Sequence, residues 1–205
     1  MRPLVVAIAL LALALPAAAQ NEAKALFGKL YPEDQVLASG WREQLSALLD
    51  QLEATSDDPE TRAALPQFRE LIAARPLPYS IDELLGDWQM RSLQASDLGA
   101  FPYTYFPARI YRDGERIVFD KASGSQRHLG VLAQRDDEMV FFVGALYYGY
   151  EAPRAYSALT ASDSEVTPEQ REFDAVAEIY KTGDQTFLMA FAPEGGRFRF
   201  YEIRK

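Results

Sequence analysis

The chain has 205 residues, with 30 acidic against 21 basic side chains, one histidine and no cysteine. A net charge of −9, with the basic residues scattered, argues against nucleic acid or anionic lipid surfaces as partners. Without cysteine there is no disulfide, thiolate nucleophile or thiolate metal site, and a single imidazole leaves zinc or copper short of preferred ligands, so no metal and no other cofactor is expected.

The first stretch reads as a secretory leader spanning residues 1–19. Arg2 supplies the positive end, Leu4 to Leu15 is an uncharged apolar run, and Ala17-Ala18-Ala19 is a small-x-small cleavage pattern before Gln20. The run is too short for a membrane span, so the expected product is periplasmic or secreted, with no membrane span after cleavage. A helical segment occupies residues 20–79. Apolar residues from Val36 and Leu37 through Trp41, Leu45, Leu48, Leu49 and Leu52 predict a helix from Glu33 to about Thr55, with Gly40 as a weak point. Asp58-Pro59 is an N-cap with proline at the first helical position, and Pro66 is expected to divide the stretch after it into a short turn and a helix to Ala74. Arg75-Pro76-Leu77-Pro78 is a stiff connector, and Ser80-x-x-Glu83 is a capping box opening a short helix that Gly86 ends.

From residue 80 to 205 the periodicity changes to alternation. Roughly eight strands are predicted: Trp88–Leu93, Tyr103–Arg112, Arg116–Lys121, Gln126–Gln134, Met139–Tyr148, Asp174–Thr182, Thr186–Ala192 and Phe198–Arg204. Turn-forming pairs such as Asp113-Gly114, Ser123-Gly124, Asp136-Asp137, Gly183-Asp184 and Gly195-Gly196 make the neighbours antiparallel, in one meander of strands two to five and another of six to eight. The long connection from Gly149 to Phe173 holds a capped helix start at Thr167-Pro168-Glu169-Gln170 and a polar tip, Ser162 to Glu165. Met139 to Tyr148 is apolar on both faces, so one face belongs inside a barrel and the other needs the N-terminal helices as a cover.

Two resemblances bear on the fold. Leu85-Gly86-Asp87-Trp88 resembles the Gly-x-Trp opening of lipocalin-like (calycin) barrels, in which a basic residue of the last strand packs on the tryptophan. Here that implies Arg204, or else Arg199. Tyr105-Phe106-Pro107-Ala108-Arg109-Ile110, with Lys121-Ala122-Ser123-Gly124-Ser125-Gln126-Arg127 and then Gly130 and Leu132, resembles an uncharacterised family of exported proteobacterial proteins, the domain-of-unknown-function family numbered 4893. A cysteine commonly precedes the arginine in that family, where this chain has Ala108. The family implies compartment and extent but no activity. The expected fold is α+β: an N-terminal helical layer packed on an antiparallel, roughly eight-stranded, lipocalin-like barrel or strongly curved sheet.

Candidate site residues fall into three groups. Ser123 to Arg127 could hold an anion, the amides around Gly124 acting with Gln126 and Arg127, or could be a solvated hairpin turn. Tyr147, Tyr148, Tyr150, Glu151, Arg154 and Tyr156 form an aromatic rim at the end of the apolar strand, either a stacking platform at a barrel mouth or a seal on its end. On the second strand Phe106, Ala108 and Ile110 share one face, while Tyr103, Tyr105, Arg109 and Tyr111 share the other. A filled interior turns Arg109 outward, to a carboxylate under the helical layer. The opposite choice lines a cavity with Tyr105, Arg109 and Tyr111. His128 reads as a half-buried or surface strand histidine rather than part of a triad, and no catalytic residue stands out.

The function read from these residues is a small-ligand-binding or accessory barrel protein of the envelope, its ligand small and amphipathic or anionic. The competing readings are a structural or protein-interaction module with a filled core, then an atypical hydrolase or isomerase.

Overall fold

A computed structural model describes residues 17–35, 40–160 and 166–205. The leader's charged end and apolar run, Val36 and Leu37, and the polar tip at 162–165 lie outside the described residues. Helices α1 (Ala17–Phe27), α2 (Trp41–Thr55) and α3 (Pro59–Ala73) precede a 3-10 turn at Ile81–Leu84. Eight strands make up the rest: β1 (Gly86–Ser96), β2 (Gly99–Asp113), β3 (Arg116–Lys121), β4 (Gln126–Gln134), β5 (Met139–Tyr148), β6 (Asp174–Gly183), β7 (Thr186–Phe191) and β8 (Phe198–Arg204). Short helices α4 (Ser157–Thr160) and α5 (Pro168–Arg171) lie between β5 and β6. Each strand runs antiparallel to its chain neighbour, and β1 pairs with β8 from Gln89↔Arg204 to Ala95↔Phe198. The two expected meanders are therefore one closed eight-stranded barrel with no free edge.

Two helical expectations are corrected. The second helix begins at Trp41, not near Glu33, because Gly40 sits at φ 87°, a left-handed conformation that no helix interior holds. The third runs unbroken through Pro66. Pro66 and the residue one turn before it, Arg62, are both exposed, so water can take the carbonyl that proline leaves unbonded. Thr61, Ala64, Leu65 and Phe68 meanwhile keep one continuous buried face.

The barrel interior is set by strand alternation. Trp88, Met90, Ala108, Ile110, Ile117, Phe119, Val140, Phe142, Phe187, Met189 and Ile203 form one buried cluster. Gly130 and Gly144 face each other across β4 and β5, and the Phe142 ring fills the space their missing side chains leave: a Cβ on either would come within 2.6 Å of that ring. One end of the barrel is plugged. The Ser80 capping box folds the chain back, Leu84 is fully buried, and Gln134 ties the plug down by donating to the Tyr79 carbonyl (2.8 Å) and accepting from the Ile81 amide (2.6 Å). Trp88 is buried there, donating from Nε1 to the Leu84 carbonyl at 2.6 Å. Its ring carries a basic residue, but that residue is Lys205, with Nζ 4.4 Å from the centroid. Arg204 points outward over Tyr105 at 3.8 Å, because alternation turns Ile203 in and Arg204 out.

The outer face is covered in two separate places. Helices α2 and α3 pack Trp41, Leu45, Leu49, Leu52 and Phe68 on Leu93, Ala95, Ala100, Leu188, Ala190 and Phe200. The outer face of β5 is covered instead by the residues after α1 and by the long connection: Leu30 and Tyr156 are buried with Met139, Phe141, Val143 and Val176.

Candidate functional site

At the end of the barrel opposite Trp88 the inward rows turn from apolar to polar. β3 runs inward as Ile117, Phe119, Lys121, and β4 as Leu132, Gly130, His128, Gln126. Lys121 pairs with His128 across the two strands. On the far wall Ser92 pairs with Tyr201 and Gln94 with Arg199. Alternation therefore brings a lysine, an arginine, a histidine, a tyrosine and two glutamines, drawn from four strands, to one end of the interior.

Lys121 is 4% exposed. Its ammonium donates to the Ser123 carbonyl (2.8 Å) and the Gln126 carbonyl (2.7 Å), and lies 5.4 and 5.6 Å from the centroids of the Phe106 and Tyr201 rings. Among the described residues it has no carboxylate partner. Burial, with the Arg127 charge adding, lowers its pKa to about 8. His128 is fully buried, with Nδ1 2.7 Å from the Tyr201 hydroxyl, while Nε2 has no hydrogen-bond partner and the Phe191 ring lies 4.9 Å from the imidazole. Burial holds the imidazole well below its ordinary pKa, and the Arg199 and Lys121 charges act in the same direction. Gln94 bridges the mouth, donating to Ser92 Oγ (3.1 Å) and Gln126 Oε1 (3.4 Å).

The rim beside Gln126 is aromatic. Gln126 pairs with Tyr148, whose ring stacks on Tyr150 at 5.8 Å and 5°. Phe173 meets Tyr148 edge-on at 6.2 Å, with Arg154 over its face at 4.2 Å. Tyr150 is 86% exposed, and three more exposed large apolar residues, Leu98, Phe101 and Tyr103, belong to the β1–β2 hairpin, whose turn is at the same end, while a fourth, Leu77, lies away from it beside Lys181. The gathering of bare rings around a polar, cationic interior is the arrangement of a binding mouth.

The residues singled out from sequence do not all come here. Gln126 faces the mouth and Tyr150 stands at its rim. Tyr147 is buried on the outer face of β5. Arg127 also points outward, and its Nε donates to the Gly124 carbonyl at 3.0 Å, so it closes its own turn instead of joining an amide cradle. Tyr105, Arg109 and Tyr111 lie outside the barrel, because Ala108 and Ile110 fill the interior. Tyr105 donates to Glu202 (2.6 Å), which also takes the Arg91 guanidinium (2.6 Å), and burial with that carboxylate pushes the phenol up to about 12. Arg109 does meet a carboxylate, Asp87 at 3.6 Å, but both are largely exposed, and α2 and α3 pack elsewhere on the barrel. The expectation of an arginine trapped between layers is corrected. The expectation of a half-buried or surface His128 is corrected likewise.

Arg199, Gln94 and Tyr201 carry no motif, and Lys121 enters only as the first residue of the stretch that resembles the family. The signal available is periodicity: Lys121 falls in step with Ile117 and Phe119, and His128 with Leu132, which puts a charge and an imidazole on the inward face.

The profile of a family described as "Domain of unknown function (DUF4893)" matches residues 13–191. No curated protein matches the chain. Among solved structures, a redesigned β-barrel aligns with a TM-score of 0.39 and 7% identity, over 64% of this chain and 98% of its own.

Proposed function

We propose that this chain, which belongs to the DUF4893 family, is an exported barrel that binds a small anionic ligand at its polar end. The observation that carries the reading is the buried Lys121 ammonium. It is a cation at neutral pH, feels the Arg127 charge, and has no carboxylate to neutralise it among the described residues. A buried cation without a counter-charge is costly, and a ligand carboxylate or phosphate would supply one. Gln126, its oxygen held by Gln94, offers its amide donors, and the Tyr148–Tyr150 stack offers a face for an apolar or aromatic body. Export rests on Arg2, the apolar run to Leu15 and the Ala17-x-Ala19 pattern; among the described residues no helix is long and apolar enough to cross a membrane.

A second reading has its own observation. The half of the interior nearer Trp88 is filled by interlocking rings, so the barrel also fits a structural module of the envelope, in which Lys121 merely staples the turn at 122–125. Calorimetric titration of the full mature protein with hexanoate and with hexyl phosphate separates the two. Binding of either probe, weakened roughly tenfold or more by Lys121→Met, is the expected result. No heat with either probe, together with no small molecule retained in native mass spectra of protein purified from its own envelope, leaves the structural module.

A further inference from the structure

We infer that Lys121 can also capture a small aldehyde covalently, as an imine; the inference rests on the reading of this barrel end as a binding site. An amine must be neutral to attack a carbonyl, and it then has two N–H groups and one lone pair. At Lys121 two carbonyls, Ser123 and Gln126, accept two N–H bonds. The lone pair of the neutral amine is the remaining direction, leaving Nζ flanked by the Phe106 and Tyr201 rings. Among the described lysines Lys121 alone is buried. Lys181 is held by Glu83 at 2.6 Å, Lys205 lies over Trp88, and Lys24 and Lys29 are exposed. Burial makes the neutral form of Lys121 accessible near pH 8, where exposed lysines are almost wholly protonated.

The step balances without a redox partner. The nitrogen adds to the carbonyl carbon, a C–N bond forms, and the carbonyl oxygen leaves as water with the two amine hydrogens. Loss of that water needs a proton delivered to the oxygen and one taken from nitrogen. Both protons exchange with solvent at the mouth, because burial lowers the His128 imidazole and raises the Tyr201 phenol and leaves that hydrogen-bonded pair a weak base and a weak acid. Two aromatic faces beside the nitrogen favour a flat, conjugated aldehyde over a branched one, and exclusion of water would slow hydrolysis of the imine.

The test uses the full mature protein, benzaldehyde and cyanoborohydride at about pH 8, with intact mass and peptide mapping as readouts. Lys121 should carry the benzyl group roughly tenfold faster than Lys24 or Lys29, with the advantage persisting as the pH is lowered by one unit. Labelling of Lys121 at or below the rate of those exposed lysines overturns the inference, and the unmutated protein decides this even where Lys121→Met fails to fold. Hexanoate binding without selective labelling removes the imine and leaves the ligand-binding reading. Neither binding nor labelling removes both.

Discussion

Lys121 carries a stability consequence of its own. In the unfolded chain its amine has the ordinary pKa of 10.5, and in the barrel about 8. Below pH 8 both states are protonated, and the fold bears the burial of a charge. Between about pH 8 and 10.5 the folded chain gives up its proton first, so the unfolded state holds more protons and stability rises with pH. The full contribution is present above the unfolded value and is lost as pH falls through the folded one. The difference between 10.5 and about 8 corresponds to roughly 3 kcal/mol. Lys121→Met removes this term along with two hydrogen bonds to carbonyls, each worth about 1 kcal/mol. The variant should therefore be about 1 kcal/mol more stable than the parent at neutral pH and fall behind it by about 1 kcal/mol at pH 10. Urea denaturation of both proteins at the two pH values measures this, and parallel stability across pH would mean that the amine is not desolvated. The tyrosines titrate alike in both proteins and drop out of the difference.

At the scale of elements, β4 and β5 show how closely the barrel wall is built. Gly130 and Gly144 are partners, and a Cβ at Gly144 would stand 2.2 Å from the Leu129 carbonyl oxygen, 2.6 Å from the Gly130 Cα and 2.6 Å from the Phe142 ring. Two of those three atoms are backbone, so a side chain cannot be admitted by a rotamer change. Gly144→Ala should therefore destabilise by about 3 kcal/mol or more, in contrast to Gly114→Ala, which meets no neighbour and is strained only by its φ of 59°. Thermal melts of the two variants would rank them, and equal losses would mean that the β4–β5 contact relaxes easily. The same strands show what is legible in the sequence. β3, β4, β5 and β8 have the bounds that alternation and turn pairs predict, because a closed wall with one apolar face leaves little freedom of register. The break expected at Pro66 is absent because a proline rule based on the helix interior ignores which face the proline occupies. The mouth is only half legible. Gln126 and Tyr150 stand out on local grounds, but Gln94 and Arg199 pair only after β1 and β8 close the barrel, a pairing that spans over a hundred residues and leaves no local mark.

At the scale of the whole molecule, closure changes what the helices are for. With every strand edge paired, they protect no edge and instead bury apolar patches on the outer wall. Among the described residues there are two patches. Leu49 sits fully buried in the one beneath α2 and α3, and Leu30 in the one on β5. The second patch is locked by Tyr156 of the long connection, whose hydroxyl accepts from the Tyr31 amide at 3.0 Å and donates to Asp34 at 2.6 Å. So the stretch after α1 and the connection hold each other down without help from α2. Tyr180 on β6 is the residue that packs against both patches. Leu30→Ala and Leu49→Ala should each cost about 2–5 kcal/mol, the range for truncating a buried leucine. Leu30 and Leu49 lie in separate clusters that share Tyr180 only at their margins, so the double variant should lose the sum to within about 0.5 kcal/mol. Chemical denaturation of the two single variants and the double variant closes the cycle. A coupling above about 1 kcal/mol would show that Tyr180 joins the two covers into one cooperative shell. Repeating the cycle with Tyr180→Ala would then abolish that coupling, because among the described residues Tyr180 is the hydrophobic side chain packed against both patches.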